Sequence, residues 1–378
     1  MRETPKRKKS TVRHTRAIQR DRTKRSNTAA PDELVELRLE ELVHPATLNQ
    51  VAHFHDLGLR QRTLNLPVMM AFVLSLIWRQ LGSVTEAVRT LNREELLWVN
   101  ERQVSQQAVE QRFSSLPALL FEGVFQELLP LMAERWQSRT RPLPPALRWA
   151  RDHFTAVLAL DGSPLDGRLR HTGLLRDGEG PIRAGRVAGL LDVITRLPRQ
   201  LWYEADPNAH DQRFWDKALG SLERGMLLIF DLGFLNFARF DQLSDAGVCF
   251  LTRKEERVVT RTHQVLRKTD TLHDEIVQVG SKKDSQCAHP LRLVAWQHQG
   301  KWDRYLTNVL DPQLLPAEYV VALYWQRWRI EDCFNVIKRL LGLAYFWTGS
   351  INGIQIQVWA TWILYAVLVD LTDAVAEA

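Results

Sequence analysis

The segment Phe154-Thr-Ala-Val-Leu-Ala-Leu160-Asp161-Gly-Ser is an apolar run that ends at an aspartate. The segment Gly225-Met-Leu-Leu-Ile-Phe230-Asp231 has the same form. Each run predicts a β-strand, and the fully apolar second run predicts a central, parallel one. Ligands of open α/β sheets bind outside the carboxyl ends of the strands. We therefore expect Asp161 and Asp231 to be neighbours, although a turn at a strand end would explain either residue alone.

The residues between and after these runs predict a sheet with helices. Further strands are predicted over residues 188–194, 200–204 and 248–252, and helices over residues 214–223 and 235–245. Three strands, a helix, a strand, a helix and a strand predict an α/β sheet of the ribonuclease-H-like kind. Asp192 is a rival acid, which ranks below the other two because it interrupts a strand instead of ending one.

A third acid lies in Tyr324-Trp-Gln-Arg327-Trp-Arg-Ile-Glu331-Asp-Cys-Phe-Asn-Val-Ile-Lys338. No Gly or Pro interrupts this segment, so it predicts one helix. Tyr324, Arg327, Glu331 and Lys338 would lie within about 60° of one another around that helix. An ordinary i,i+4 ion pair would explain Arg327 and Glu331 taken alone. With Asp161 and Asp231, however, Glu331 would complete a set of hard oxygen ligands that suits Mg²⁺ or Mn²⁺.

Composition and charge narrow the class of protein. The chain has 378 residues, of which 45% are hydrophobic, as in a globular protein with more than one domain. Its three cysteines are scattered, which predicts a reducing compartment and no disulfide framework. The longest apolar stretches, residues 68–78 and 358–369, are too short to cross a bilayer, so no membrane partner is expected. We therefore expect a cytoplasmic protein.

The charge is concentrated at the N-terminus. Residues 1–25 contain eleven Lys or Arg residues and two acids, whereas the whole chain carries a net charge of +6. A basic arm on a nearly neutral body indicates nucleic-acid contact, with a solvated tail as the alternative. Ser105 is a natural N-cap for a short helix that exposes Gln106, Gln107, Gln111 and Arg112. That face predicts DNA contact or, equally, an ordinary polar surface.

Taken together, Asp161-Gly, Asp231-x-Gly-Phe and Tyr324-x2-Arg327-x3-Glu331-x6-Lys338 resemble the DDE transposases of bacterial insertion sequences. The insertion sequence four (IS-four) family, with its Tyr-Arg-Glu-Lys signature, is the most similar group. The resemblance implies a ribonuclease-H-like catalytic core interrupted by a β-rich insertion and preceded by a helical N-terminal domain. The expected domains are a disordered basic arm (1–30), a helical DNA-binding domain (31–137), a linker (138–150), the catalytic core (151–254 and 317–345), the β-rich insertion (255–316) and C-terminal helices (346–378).

The resemblance also implies a reaction and its partners. Asp161, Asp231 and Glu331 would hold two Mg²⁺ or Mn²⁺ ions that activate water, and later a 3′-hydroxyl, for attack on a phosphodiester. Tyr324, Arg327 and Lys338 would contact terminal DNA phosphates. Cutting and pasting would pass through a DNA hairpin, with Trp296 or Trp302 stacked on a flipped base. The partners would be the terminal inverted repeats, target DNA and, in the DNA complex, a second copy of the chain. The bound protein would be associated with the bacterial nucleoid.

Two other readings remain open from the sequence. One is a non-catalytic DNA-binding protein derived from a transposase, and the other is a two-metal nuclease of the same fold that cuts DNA without strand transfer. Packing inside the β-rich insertion is an equal alternative for the two tryptophans. For Arg253 and Lys254, which follow a strand, a solvated loop is the simpler interpretation than DNA contact.

Overall fold

The computed structural model describes residues 30–139, 141–165, 185–206, 210–234, 236–281, 286–343 and 346–377. All but the last residue of the predicted basic arm therefore lies outside the described residues. The described chain forms two compact units. The first holds residues 30–124 and 346–367, and the second holds the described parts of 125–343 together with 368–377.

The first unit is helical. Its helices before residue 124 are α1 (Ala30–Asp56), α2 (Leu66–Trp78), α3 (Val84–Leu91) and α4 (Gln106–Ser115), followed by the start of α5 (Leu119–Gln137). The Asn65 side chain caps α2 by accepting a hydrogen bond from the Val68 N–H at 3.1 Å. Eleven of the thirteen residues of α2 are buried, so this helix is the core of the unit.

Helix α4 begins as its sequence predicts. The Ser105 hydroxyl accepts a hydrogen bond from the Ala108 N–H at 3.2 Å, which is a standard N-cap contact. The glutamine side chains of its polar face are exposed, but Arg112 is only half exposed. Its Nε donates to the Leu64 carbonyl at 2.8 Å, so part of this guanidinium stabilises the neighbouring loop.

The second unit contains one sheet of nine strands. The strands are β1 (Val157–Pro164), β2 (Arg186–Asp192), β3 (Pro198–Glu204), β4 (Leu227–Phe230), β5 (Cys249–Arg253), β6 (Thr260–Lys268), β7 (Leu272–Val279), β8 (Leu291–His298) and β9 (Lys301–Thr307). Their spatial order is β3-β2-β1-β4-β5-β9-β8-β7-β6. Strands β1, β4 and β5 are parallel to one another, and β4 is buried throughout, as its apolar run predicts.

Four strands within residues 255–316 extend the same sheet. β9 pairs antiparallel with β5, and β8, β7 and β6 follow outward from it. The three pairs at this boundary, Leu251 with Thr307, Thr252 with Leu306 and Arg253 with Tyr305, make the ladder continuous. The β-rich segment therefore shares backbone hydrogen bonds with the parallel strands, and its position is fixed by them.

The remaining helices of the second unit cover the sheet and approach its edge. They are the end of α5, α6 (Pro145–His153), α7 (Trp215–Leu219), α8 (Phe237–Asp245), α9 (Ala317–Trp325), α10 (Trp328–Asn335) and the end of α11 (Ile351–Glu377). The aromatic side chains of Trp215, Phe230, Phe240 and Phe250 pack together in its core. This packing holds α7 and α8 against β4 and β5.

Three sequence-based predictions need correction. The predicted linker over 138–150 contains the start of α6, because Pro145 lies in the first helical turn, where its missing N–H costs nothing. The C-terminal residues form one helix, α11, instead of several. The predicted continuous helix over 324–338 is broken between α9 and α10, where Arg327 N–H bonds to the Tyr324 carbonyl at 3.0 Å in a tighter i→i−3 turn.

Helix α11 is longer than the twelve-residue apolar stretch suggested. By length and composition its residues Ile351–Ala376 would suffice to cross a bilayer. However, 83% of the apolar window is buried within the protein, as in the core helix of a globular domain. Burial on this scale accounts for its apolar composition without a lipid contact.

Candidate active site

Asp161 and Asp231 lie side by side at two inner strands of the sheet. The parallel pairing of β1 with β4 ends at Leu160 and Phe230, and the two aspartates are the next residues of each chain. Strand β1 nevertheless continues to Pro164 along β2, with Asp161 opposite Gly189. The expectation that β1 ends at Asp161 therefore holds on the β4 side only, because the longer antiparallel partner β2 extends the ladder.

Short backbone contacts orient both carboxylates. Asp161 Oδ1 accepts a hydrogen bond from the Gly162 N–H at 2.8 Å, and Asp231 Oδ1 accepts one from the Gly233 N–H at 2.9 Å. Each contact fixes one oxygen and leaves the other for a second partner. The Gly162 and Gly233 N–H groups thus hold the two carboxylates in place where the pairing of β1 with β4 ends.

Arg327 joins the third carboxylate to the first. Its Nη1 lies 2.5 Å from Glu331 Oε1 and 3.8 Å from Asp161 Oδ2. Its guanidinium also lies over the rings of Tyr324, at 5.9 Å, and Trp328, at 5.4 Å. The residue is 8% exposed, so these ionic contacts are partly shielded from water. The i,i+4 pair of α10 is consequently part of a carboxylate cluster and not a solvated surface pair.

Arg329 anchors the helix that carries Glu331. It donates a hydrogen bond to the Val193 carbonyl at 2.7 Å, in the turn that follows β2. Asp192, the rival acid, is the last residue of β2, so it ends its strand and does not interrupt it as the sequence suggested. It pairs with Leu158 of β1 and accepts hydrogen bonds from the Ile194 and Thr195 N–H groups at 2.8 and 3.0 Å. Asp192 is therefore engaged in a turn, away from the pair formed by Asp161 and Asp231.

The charges of the three acids influence one another. Burial, then the charge of Asp231, and to a smaller extent that of Glu331, raise the pKa of Asp161 to about 7. The Gly162 N–H and Arg327 act in the opposite direction but do not cancel this effect. A buried carboxylate beside like charges needs further cationic compensation when it ionises.

Because ionised Asp161 is unfavourable in the folded protein, the free energy of unfolding should depend on pH. The folded pKa of Asp161 lies above its ordinary value of 3.8, so ionisation disfavours the folded state as pH rises from about 4 to about 7. Without divalent ions, Asp161→Asn should raise the free energy of unfolding by roughly 2–4 kcal/mol at pH 8, with little change at pH 4. Denaturant unfolding at both pH values measures this. An equal difference at pH 4 and pH 8 would contradict the interpretation.

The other residues of the signature have different surroundings. Tyr324 is buried and packs against Tyr305, with ring centroids 5.0 Å apart. Lys338 lies in a π-helical turn after α10, where its ammonium contacts the Ser163 hydroxyl and donates to the Pro164 carbonyl at 2.6 Å. Lys338 thus reaches the extension of β1 beyond Asp161.

The remaining predicted DNA-contact residues belong to elements that carry none of the three acids. Trp296 pairs with Asp303 across β8 and β9, whereas Trp302 lines a cavity that also includes Leu232, next to Asp231. Arg112 belongs to the first unit. Tyr305, Ser163 and Arg304 were not among the sequence candidates. Only the pairing of β9 with β5, which no local pattern reveals, brings Tyr305 and Arg304 to the end of β5.

The three carboxylates have the chemistry of a divalent metal site but not its closed geometry. Among the residues that the structure describes, no three His, Cys, Asp or Glu side chains are grouped closely enough to hold an ion as they stand. The donor set is nevertheless the right one for Mg²⁺ or Mn²⁺, because all three groups are carboxylates. Arg327 supplies the positive charge between Asp161 and Glu331 in this conformation. The donor types therefore suit a divalent ion, whereas in this conformation Glu331 is paired with Arg327 and the three carboxylates do not form a closed ligand set.

Known proteins similar to this chain are transposases. Residues 157–367 match the family described as "Transposase DDE domain". The chain is 28% identical over 255 residues to a "Putative transposase y4zB" of Sinorhizobium fredii, which covers 65% of this chain and 67% of the relative. The chain is also 21% identical over 152 residues to a "Probable transposase for insertion sequence element IS5377" of Geobacillus stearothermophilus. That match covers 39% of this chain and 40% of the relative.

The structure of this chain also matches a solved structure of a transposase complex. It is the piggyBac transposase synaptic complex with hairpin DNA, with a TM-score of 0.40 and 12% sequence identity. The alignment covers 88% of this chain and 74% of the other.

Proposed function

Because this chain belongs to the transposase DDE domain family, and is therefore an enzyme of DNA transposition, we propose that it cuts and joins DNA at the ends of a bacterial insertion sequence. The substrate would be double-stranded DNA that carries terminal inverted repeats, and the product a strand joined to target DNA. The observation that carries this proposal is the pair Asp161 and Asp231 at adjacent parallel strand ends, with Glu331 linked to Asp161 through Arg327.

The fold supports the same proposal at a finer level. The strand order β3-β2-β1-β4-β5, with β2 antiparallel and β4 and β5 parallel, is the order expected of a ribonuclease-H-like core. The spacing Tyr324-x2-Arg327-x3-Glu331-x6-Lys338 supports membership of the IS-four group. On this proposal the four added strands are the β-rich insertion, and the helical first unit contributes DNA recognition through the polar face of α4.

The three carboxylates would hold two Mg²⁺ or Mn²⁺ ions, which supply Lewis-acid activation of the attacking hydroxyl and stabilisation of the leaving oxygen. The chain's own residues do the rest. The Gly162 and Gly233 N–H groups orient the aspartates, and Arg329 holds α10 in place. Arg327 exchanges its carboxylate partners for a DNA phosphate. Its buried Nε makes no hydrogen bond to any described residue, which leaves a donor for that phosphate.

Arg327 should therefore couple metal binding to DNA binding. Arg327→Gln removes a cation from the carboxylates, so the DNA-free protein should bind Mn²⁺ about 10-fold more tightly. The same change removes a phosphate contact, so DNA cleavage should fall by about 100-fold. Mn²⁺ titration by electron paramagnetic resonance and a cleavage assay measure the two effects. Arg339→Gln, at an exposed position in the π-helical turn after α10, is the control. A parallel loss of metal affinity and cleavage would contradict this role.

The DNA partners and assembly complete the proposal. Cut-and-paste transposition through a DNA hairpin would use Trp302, and less directly Trp296, to stack on a displaced base. Tyr324 and Lys338 would lie along the terminal phosphates, and a second copy of the chain would pair with the first in the DNA complex. The protein would act in the bacterial cytoplasm, on the nucleoid, with the basic arm adding electrostatic affinity for DNA.

A strand-transfer assay tests the proposal. Purified protein is mixed with a duplex that ends in the element's terminal repeat, with target plasmid and with Mg²⁺ or Mn²⁺. We expect metal-dependent cleavage at the repeat and transfer of a pre-cleaved 3′ end into the plasmid. Cleavage without transfer would indicate the nuclease reading, and specific binding without cleavage would indicate a non-catalytic DNA-binding protein.

A further inference from the structure

A cavity opens next to Asp231, where strand β5 ends. Strand β5 is parallel to β4, and Phe230 pairs with Thr252, so Asp231 and Arg253 are the next residues of neighbouring strands. Leu232, directly after Asp231, is 40% exposed and forms part of the wall. The cavity therefore begins next to Asp231, and its other lining residues lie at the end of β5, in the loop that follows it and on β9.

Basic side chains dominate this cavity, which we call the β5 groove. It has a volume of about 440 Å³ and is lined by Leu232, Trp302, two glutamates, and the cations Arg253, Lys254, Arg257 and Arg304. The Lys254 N–H donates to the Arg304 carbonyl at 2.8 Å, which fixes the loop after β5 against β9. Burial, then the charge of Arg304, lowers the pKa of Lys254, so the cations crowd one another.

The lining suits a single nucleic-acid strand. The volume is in the range that holds one small organic ligand, and a duplex about 20 Å wide would not enter it. Arginine and lysine side chains bind phosphates, and an aromatic wall such as Trp302 gives a base a surface on which to stack. The two carboxylates, Glu255 and Glu256, can accept hydrogen bonds from the amino groups of bases. An inorganic anion would gain nothing from those glutamates.

We propose that the β5 groove binds the single DNA strand that continues past the phosphodiester held at Asp161 and Asp231. This inference rests on the proposed transposase activity and adds a binding site to it. The strand would run from the carboxylates over Leu232 to Arg257 and Arg304. Two sources have the same chemistry, namely the donor strand that flanks the element and the target strand that receives it.

The test uses the full chain and fluorescence anisotropy in buffer without divalent ions. The double variant Arg257→Gln/Arg304→Gln removes two exposed cations from the groove. The matched control, Arg151→Gln/Arg199→Gln, removes two exposed arginines that pair with Asp152 and Glu223 elsewhere. Three probes are compared: a terminal-repeat duplex that ends bluntly at the cleavage position, the same duplex with a single-stranded flank, and a branched duplex that carries a target strand.

We expect the groove variant to bind one or both extended probes about 10-fold more weakly at about 0.1 M salt, with blunt-duplex affinity unchanged within about twofold. Its salt-dependence slope should be smaller by about 1.4, since each single-strand phosphate contact contributes about 0.7. Loss on the flanked probe alone assigns the donor flank, and loss on the branched probe alone assigns the target strand.

Equal loss on the blunt duplex, or no loss on either extended probe relative to the control variant, would overturn the assignment. These outcomes are distinct from failure of the proposed function, which would appear as absent cleavage and strand transfer by the unmodified protein. An unmodified protein that transfers strands, together with a groove variant that binds every probe normally, rejects the groove and leaves the function intact.

Discussion

Asp161→Asn, Asp231→Asn and Glu331→Gln should each lower metal-dependent cleavage at the element's ends by about 10³-fold or more. Each change keeps the size of the side chain and removes one negative oxygen ligand. In the proposed mechanism the three groups would act as one unit, because Asp161 adjoins Asp231 across β1 and β4 and Arg327 ties Glu331 to Asp161. The double and triple variants should therefore be little worse than the single ones.

A DNA-binding measurement distinguishes the loss of catalysis from misfolding of the variants. The three variants should bind a terminal-repeat duplex within a few-fold of the unmodified chain, because phosphate contacts supply most of the affinity. Asp192→Asn is the matched control, since its carboxylate caps a turn of the same sheet away from the other two acids. If all three variants cleaved at the rate of the unmodified protein, the assignment of the active site would be wrong.

Asp274→Ala should lower the free energy of unfolding by about 3–5 kcal/mol. Arg292 is fully buried in β8, and its Nε and Nη2 donate to the two carboxylate oxygens of Asp274 on β7, each at 2.7 Å. Its Nη1 donates to the Leu315 carbonyl, also at 2.7 Å. Removal of the carboxylate leaves a buried guanidinium without its counter-charge, whereas the pair itself is balanced.

Two further variants sharpen this measurement by denaturant unfolding. The double variant Asp274→Leu/Arg292→Met removes both charges and should recover most of the lost stability. Glu318→Gln breaks the exposed pair with Arg267, whose atoms are 2.5 Å apart, and should cost less than about 1 kcal/mol. A cost for Asp274→Ala no larger than that for Glu318→Gln would show that burial does not amplify the pair.

The parts of the fold that follow from local sequence were predictable. Apolar runs identified β1, β4 and β5, because a strand buried on both faces must be apolar throughout. Ser105 identified the start of α4, because the cap contact needs only residues close in sequence. The break at Arg327 was missed, since no Gly or Pro marks it and the i→i−3 turn involves main-chain atoms alone.

The candidate site also has a part that local sequence predicts and a part that it does not. Asp161, Asp231 and the spacing from Tyr324 to Lys338 could be read from the chain, because each follows a local pattern of strand end or helical repeat. The contacts between distant residues could not. Lys338 contacts Ser163, Tyr324 packs on Tyr305, and Arg327 reaches Asp161. Each contact depends on which strands pair, and pairing is decided by burial over the whole sheet.

Local sequence thus predicted the strands, the acids that follow them, the spacing around Glu331 and the DDE transposase family, which the family match confirms. The folded chain established that the added strands continue the core sheet, that Arg327 pairs with Glu331 and approaches Asp161, and that a basic groove begins next to Asp231. The physical reason is the distance along the sequence over which each kind of interaction acts. Strand and cap preferences act over a few residues, whereas charge compensation and cavities arise where residues far apart in sequence are buried together.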